Sequence, residues 1–176
     1  ETAPIYEDDT ITSVARRIVF LRPGVVVIED RIATTDASTE AIWGLSTPLD
    51  PTIAGSRATM DGASADLDVR LVYPAGATLA EVSWPTEDVD MSAGFRLDVR
   101  APAGTSARFV AVLGLDGAVT AASATAGAGS IDVLVTHAGG TLIVSFPDAG
   151  AGASATIGGS VVTFEGTVEA QPLFAP

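Results

Sequence analysis

Apolar and polar residues alternate with a period of two in several segments of the chain. Residues 66–71 (DLDVRL) and 95–100 (FRLDVR) each place aliphatic or aromatic side chains at every second position, with Asp and Arg between them. Because successive side chains of a strand face opposite sides of a sheet, each segment is predicted to bury one face and expose the other. This pattern is typical of antiparallel sheets, since strands of parallel sheets are apolar throughout.

Other segments are apolar at nearly every position. Residues 17–21 and 25–28 flank an Arg-Pro-Gly turn, which combines the fixed φ of proline with the free φ of glycine. We predict that they form a hairpin whose strands lie centrally and are covered on both faces. The apolar run 109–115 leads into Asp-Gly at 116–117, a dipeptide that suits the positive-φ positions of a tight hairpin turn.

Turn signals recur about every 8 to 12 residues, as expected of a sandwich or barrel. No window carries an apolar stripe at helical spacing with caps, and the Ala-, Gly- and Ser-rich stretches 121–130 and 148–154 are predicted as loops or weak edge strands. The prediction is a single all-β domain over residues 1–176, an antiparallel two-layer β-sandwich. Because the chain begins at Glu1, we expect a processed product, a fragment or a C-terminal module of a larger protein.

The charge balance restricts the partners. Nine Lys and Arg residues stand against 22 Asp and Glu residues, a net charge of −13. An acidic surface repels phosphate, so nucleic acid is not expected as a partner. No apolar run approaches the roughly 20 residues that span a bilayer, so membrane insertion is not expected either. With no cysteine in the chain, a disulfide framework and a thiol nucleophile are excluded.

Candidate catalytic groups are few. His137 is the single histidine, and its place before Ala-Gly-Gly indicates a partly exposed turn residue rather than a base beside a nucleophile. No serine lies in a Gly-x-Ser-x-Gly motif, and nothing selects a glycosidase pair among the 22 acids. We therefore predict no catalytic residue. Acidic clusters at 7–9 and 87–90 offer oxygen ligands without the spacing of a calcium loop, so Ca²⁺ is the one cofactor left open.

Three aromatic residues, Trp43, Tyr73 and Trp84, are candidates for contact with a carbohydrate or with a neighbouring domain. Aromatic side chains also anchor sandwich cores, and that alternative stays open for each of them. Trp84 precedes a proline at the predicted exit of a strand, so it is expected to be the more exposed tryptophan.

Five segments resemble, in order, the C-terminal β-sandwich region of heparinase II/III-like polysaccharide lyases. Residues 17–32 are similar to the family's arginine-led strand, turn and valine-rich strand that ends in Asp-Arg. Residues 41–48 resemble its next strand, and residues 67–74 resemble its apolar strand that ends in Tyr-Pro or Leu-Pro. Residues 95–101 and 108–113 resemble its late pair of strands. The resemblance spans roughly residues 10 to 150.

The resemblance implies one part of a two-part enzyme. In that family a helical (α/α) toroid upstream of the sandwich cleaves acidic polysaccharides by β-elimination, usually with Tyr and His as base and acid. The family's His-x-His-x-Asp segment has no counterpart here, and Ser46 stands where its Trp-x-Leu-His pattern has histidine. The expectation is a non-catalytic module of a secreted or periplasmic lyase that supports the cleft. Such a module should expose a large apolar patch where it meets the toroid.

Two alternatives come from other functional classes. An autonomous carbohydrate-binding or cell-surface adhesion module would expose Trp43 or Trp84 flat in a shallow groove. An independent glycosidase would need two carboxylates about 5 to 10 Å apart in a cleft.

Overall fold

The computed structural model describes residues 10–83 and 94–165, whose regular elements are all β-strands. Fourteen strands follow one another along this part of the chain: β1 (Ile11–Leu21), β2 (Val25–Thr34), β3 (Ile42–Thr47), β4 (Thr52–Ala54), β5 (Arg57–Met60), β6 (Leu67–Tyr73), β7 (Ala80–Ser83), β8 (Phe95–Arg100), β9 (Ser106–Leu115), β10 (Val119–Ala126), β11 (Ser130–His137), β12 (Gly140–Pro147), β13 (Ala153–Ile157) and β14 (Ser160–Phe164). No helix that could cross a membrane occurs among these residues.

The strands pair into three antiparallel sheets. The large sheet has the order β1-β2-β9-β6-β5-β4, the five-stranded sheet runs from β10 to β14 in chain order, and the small sheet has the order β3-β8-β7. Every ladder in the described part of the chain is antiparallel. The predicted fold class is therefore confirmed.

The main core lies between the large sheet and the five-stranded sheet. Val27 of β2 and Val112 of β9 point into it from one side, and Val133 of β11 and Phe146 of β12 point into it from the other. All four side chains are fully buried, and neighbouring residues on each strand face away, as the pleat requires. These two layers are the predicted β-sandwich.

A second core lies on the opposite face of the large sheet. There the buried side chains of Phe109 (β9) and Val69 (β6) pack against Trp43 (β3) and Leu97 (β8) of the small sheet. The small sheet therefore adds a partial third layer, which the alternation pattern does not predict. It packs over β5, β6 and β9 and leaves part of β1 and β2 uncovered.

The arrangement of β1 differs from the prediction. β1 and β2 form the expected hairpin, with Leu21 opposite Val25 across the turn. However, β1 is an edge strand of the large sheet, and Ile18 and Phe20 are 58% and 54% exposed. The expectation that both strands are covered on both faces is therefore wrong for β1, because the small sheet does not reach it.

The Asp116-Gly117 turn has the predicted backbone but joins different sheets. Both residues have positive φ, 51° and 72°. The turn leads from β9 in the large sheet to β10 in the five-stranded sheet, so the hairpin pairing predicted here is wrong. The chain crosses over at Gly114, where a Cβ would lie 2.8 Å from the Val119 side chain. Only glycine leaves room for that approach.

Candidate functional site

Trp43 is part of the core rather than of a binding surface. Its side chain is 4% exposed, and its indole Nε1 donates a hydrogen bond of 2.9 Å to Asp30 Oδ2. Arg16 donates to both oxygens of the same carboxylate, at 2.6 and 3.0 Å. Trp43 is thus not the flat, exposed platform that the binding-module alternative would require of it.

Tyr73 lies at the end of β6, half-buried beside the main core. It lines an open cavity of about 600 Å³, together with Arg31 of β2, Arg108 of β9 and Asp148, which follows β12. Of the two candidates for carbohydrate or interdomain contact in the described part of the chain, Trp43 and Tyr73, only Tyr73 lies at a cavity. Its contact with a ligand stays a prediction.

Trp84 and both acidic clusters lie outside the described residues, so their predicted roles stay predictions. Within the described part of the chain, no three His, Asp or Glu side chains come together in a group that could hold a metal ion.

His137 is a turn residue at the end of β11. It is half-exposed, and its Nδ1 accepts a hydrogen bond of 3.1 Å from the backbone N–H of Gly139. It lies opposite Val119, past the end of β9, whereas Tyr73 lies opposite Val110 in the middle of β9. The fold does not bring these two side chains together into an acid–base pair.

The densest charged cluster in the described part of the chain surrounds Glu29, which was not among the site residues predicted from the sequence. Glu29 is fully buried and accepts four hydrogen bonds of 2.7–2.9 Å, two from Arg17 and one each from Arg31 and Arg108. Arg17 also lies over the ring of Phe146, 5.0 Å from its centroid. We call these four charged residues, Arg17, Glu29, Arg31 and Arg108, the Glu29 cluster.

The Glu29 cluster connects the two main sheets. All its members are on the large sheet, and the outer nitrogens of its three arginines donate to the end of β12 and to the segment that leads from β12 to β13. Their acceptors are the backbone carbonyls of Phe146, Pro147, Asp148 and Gly152, and the Asp148 carboxylate. Arg31 and Arg108, which line the Tyr73 cavity, therefore already donate hydrogen bonds to Glu29 and to the end of β12 and the residue after it. The chief role of the Glu29 cluster is to hold the two main sheets together.

Electrostatics keep Glu29 ionised. Burial alone would raise its pKa, but the hydrogen bond from Arg17 and the positive charges of Arg17, Arg31 and Arg108 outweigh that effect and hold the pKa below its ordinary value of 4.5. The carboxylate is thus charged and fully paired under all but acidic conditions.

The uncovered part of the large sheet forms an apolar patch, which we call the apolar shelf. Cross-strand pairing aligns Phe20 with Val26 in one row and Ile18 with Ile28 in the next. The first row ends at Leu113, opposite Val26, which is partly buried against the second core. Leu115 completes the shelf at 39% exposure. Contiguous exposed apolar surface of this kind marks interaction sites more often than scattered single residues do.

Comparison with solved structures finds a similar fold in part of one bacterial enzyme. The crystal structure of heparan sulfate lyase HepC from Pedobacter heparinus matches with a TM-score of 0.56 and 14% identity, covering 78% of this chain and 24% of that chain. A mutant of the same lyase matches with a TM-score of 0.56 and 14% identity, covering 82% and 25%. This chain has the fold of part of a heparan sulfate lyase.

The likeness to HepC confirms, at the level of fold, the resemblance carried by the strand segments. The chain spans about a quarter of the length of the HepC chains that it matches. No protein-family model matches the chain, and no curated protein sequence matches it.

Proposed function

We propose that the chain is a non-catalytic β-sandwich module of a heparinase II/III-like polysaccharide lyase. In this proposal a toroid domain of the same protein cleaves an acidic polysaccharide by β-elimination, and the sandwich supports the cleft. The observation that carries the proposal is the HepC likeness over about 80% of this chain but only a quarter of HepC. A lyase that acts on an extracellular polysaccharide would be secreted or periplasmic.

The chemistry of the described residues supports a non-catalytic role. β-Elimination needs a base for the proton α to the uronate carboxylate and an acid for the leaving oxygen, both in reach of one sugar. Tyr73 and His137, the residue types that the lyase family uses, are held apart by the strand register. The buried carboxylates of Glu29, Asp68 and Asp98 each form ion pairs with arginines.

The apolar shelf is the surface that we assign to contact with the rest of the lyase. It contains no carboxylate, although the chain as a whole has a net charge of −13. Burying Ile18 and Phe20 against another domain would remove apolar area from water, which favours a permanent interface. The nearest charged side chains on this face, Arg16 and Asp30, already form an ion pair with each other.

The proposal is tested in the longer polypeptide that it requires. That polypeptide should convert heparan sulfate to products with an unsaturated uronate, detected by ultraviolet absorbance, whereas residues 1–176 alone should not. Replacing Ile18 and Phe20 by Ser should lower the activity of the longer polypeptide. The matched control replaces Leu134 and Ile143, a cross-strand pair 42% and 39% exposed on the five-stranded sheet, and should leave activity unchanged.

Two results would contradict this proposal. Unsaturated product formed by residues 1–176 alone would show that the module itself is catalytic. Equal activity in the shelf variant and the control variant would show that the shelf does not contact the catalytic domain.

The cavity beside Tyr73 favours a second candidate, a carbohydrate-binding module. Tyr73 presents a half-buried aromatic ring at a cavity large enough for a sugar unit. Affinity electrophoresis of the isolated chain in gels containing heparan sulfate tests this function. Retardation that is lost in Tyr73→Ala would favour the binding module, whereas unretarded migration of the parent chain would rule it out for this polysaccharide.

A further inference from the structure

Among the residues that the structure describes, the last strand of the five-stranded sheet has a free edge. β14 pairs with β13 on one side only and is the outer strand of the sheet. All five of its residues are exposed, including Val161 at 65%, Val162 at 49% and Phe164 at 37%. Its outward backbone N–H and C=O groups therefore have no strand beside them in the described part of the chain, and an extended strand could satisfy them.

β14 also lacks the features that protect edge strands from pairing. Natural edges are shortened, charged or distorted by bulges. β1 carries Arg16 and Arg17 and has a register shift, β10 has a register shift, and β4 is three residues long. β14 has the sequence SVVTF, with no charge and no proline, and a regular register against β13.

We propose that two copies of this chain associate by antiparallel pairing of β14 with β14, which joins two five-stranded sheets into one. The register that pairs all five residues centres on Val162, which then lies opposite itself across the two-fold axis. Val161 lies opposite Thr163, and Ser160 lies opposite Phe164. Opposed residues share a face of the joined sheet, so Val162 and Phe164 of both copies form one apolar strip.

The net charge of each copy and the small area buried at the seam determine how strongly the two copies associate. Two copies of net charge −13 repel each other, but the seam itself is uncharged, so no carboxylate is desolvated or opposed by another. Five residues per copy bury less than the roughly 1,200 Å² of a standard interface, which makes the dimer weak and reversible. Added salt screens the repulsion between the copies and should strengthen the dimer.

Sedimentation equilibrium over a series from low micromolar to millimolar protein tests the proposal. The dimer fraction should rise with concentration and with salt. Val162→Lys places two ammonium groups directly opposite each other and should raise the dissociation constant several-fold. Val161→Lys is the matched control, because its side chain is on the other face and opposes Thr163, and it should still dimerise.

A cysteine variant tests the register. The chain has no cysteine, so Val162→Cys introduces a single thiol. Opposed Cα atoms in an antiparallel pair are about 4.5–5.5 Å apart, within the range of a disulfide, so oxidation should give a covalent dimer. In Val161→Cys the two thiols are diagonal neighbours with Cα atoms about 8 Å apart, too far for a disulfide, and this variant should stay monomeric on non-reducing gels.

Two outcomes would overturn the inference. A monomer at every concentration and salt would exclude the pairing. Association abolished by Phe20→Ser but unchanged in Val162→Lys would show that copies meet through the apolar shelf instead. Neither outcome bears on the lyase proposal, since that proposal does not require a dimer.

Discussion

Glu29→Gln is the substitution that most directly tests how much the Glu29 cluster contributes to the stability of the contact between the two main sheets. The substitution keeps the size of the side chain and removes its charge. Three guanidinium groups that now donate four hydrogen bonds to the carboxylate would face a neutral amide in a buried site. Because Arg17 is 8% exposed, water cannot replace the lost partner.

Removing one partner of a buried ion pair costs about 3–5 kcal/mol of folding free energy. We expect that loss for Glu29→Gln. Glu40→Gln is the control, because the pair of Glu40 with Arg100 has a similar distance, 2.6 Å, but side chains that are 45% and 57% exposed. An exposed pair contributes about 0–1 kcal/mol. Urea unfolding followed by circular dichroism measures both variants.

The pH dependence gives the same prediction a second readout. The pKa of Glu29 is lower in the folded protein than its ordinary value of 4.5, so the ionised carboxylate stabilises the fold fully above that value. This contribution is lost as the pH falls below 4.5 and through the lower, folded pKa. The difference in stability between the parent protein and Glu29→Gln should therefore be constant near neutral pH and shrink in acid.

Equal losses of stability in Glu29→Gln and Glu40→Gln would show that burial of the Glu29 pairs adds nothing to their strength. A difference that does not change between neutral and acidic pH would also contradict the prediction, because the Glu29 charge would then contribute nothing to the folded state.

Two further substitutions test the packing. Trp43→Phe should lower the free energy of unfolding in urea by about 1–3 kcal/mol, since Asp30 loses the indole donor and the core loses volume. An unchanged free energy of unfolding would contradict the buried position of the indole. Gly114→Ala should cost about 1–3 kcal/mol, because its Cβ would lie 2.8 Å from Val119. Gly104→Ala, where the nearest atom is 3.8 Å away, should change the melting temperature little, and equal effects would contradict the crossover geometry.

The all-β fold could be predicted because its signal is local. A period of two identifies a strand from a few residues, and segments such as 66–71 and 95–100 need no knowledge of their partners. The connections between sheets could not be predicted in this way. The Asp116-Gly117 turn has the same backbone whether it closes a hairpin or leads from one sheet to another, and the nearby Gly114 makes the second route sterically open.

The Glu29 cluster and the apolar shelf depend on contacts between distant residues. Arg17, Glu29 and Arg108 meet only because β1 and β9 flank β2, with Arg108 separated from Glu29 by 79 residues. A signal was present in the sequence, since Arg17 and Glu29 are charged residues at inward positions of apolar strands. The exposure of Phe20 has no local signal, because it follows from where the small sheet packs.

The central claim, that the apolar shelf is buried against another domain of a lyase, is tested most directly by thiol labelling at position 20. Phe20→Cys should react rapidly in residues 1–176 alone and slowly in the longer polypeptide. Ser123→Cys, on the exposed outer face of the five-stranded sheet, should react equally fast in both. Equal labelling of position 20 in the two proteins would contradict the account.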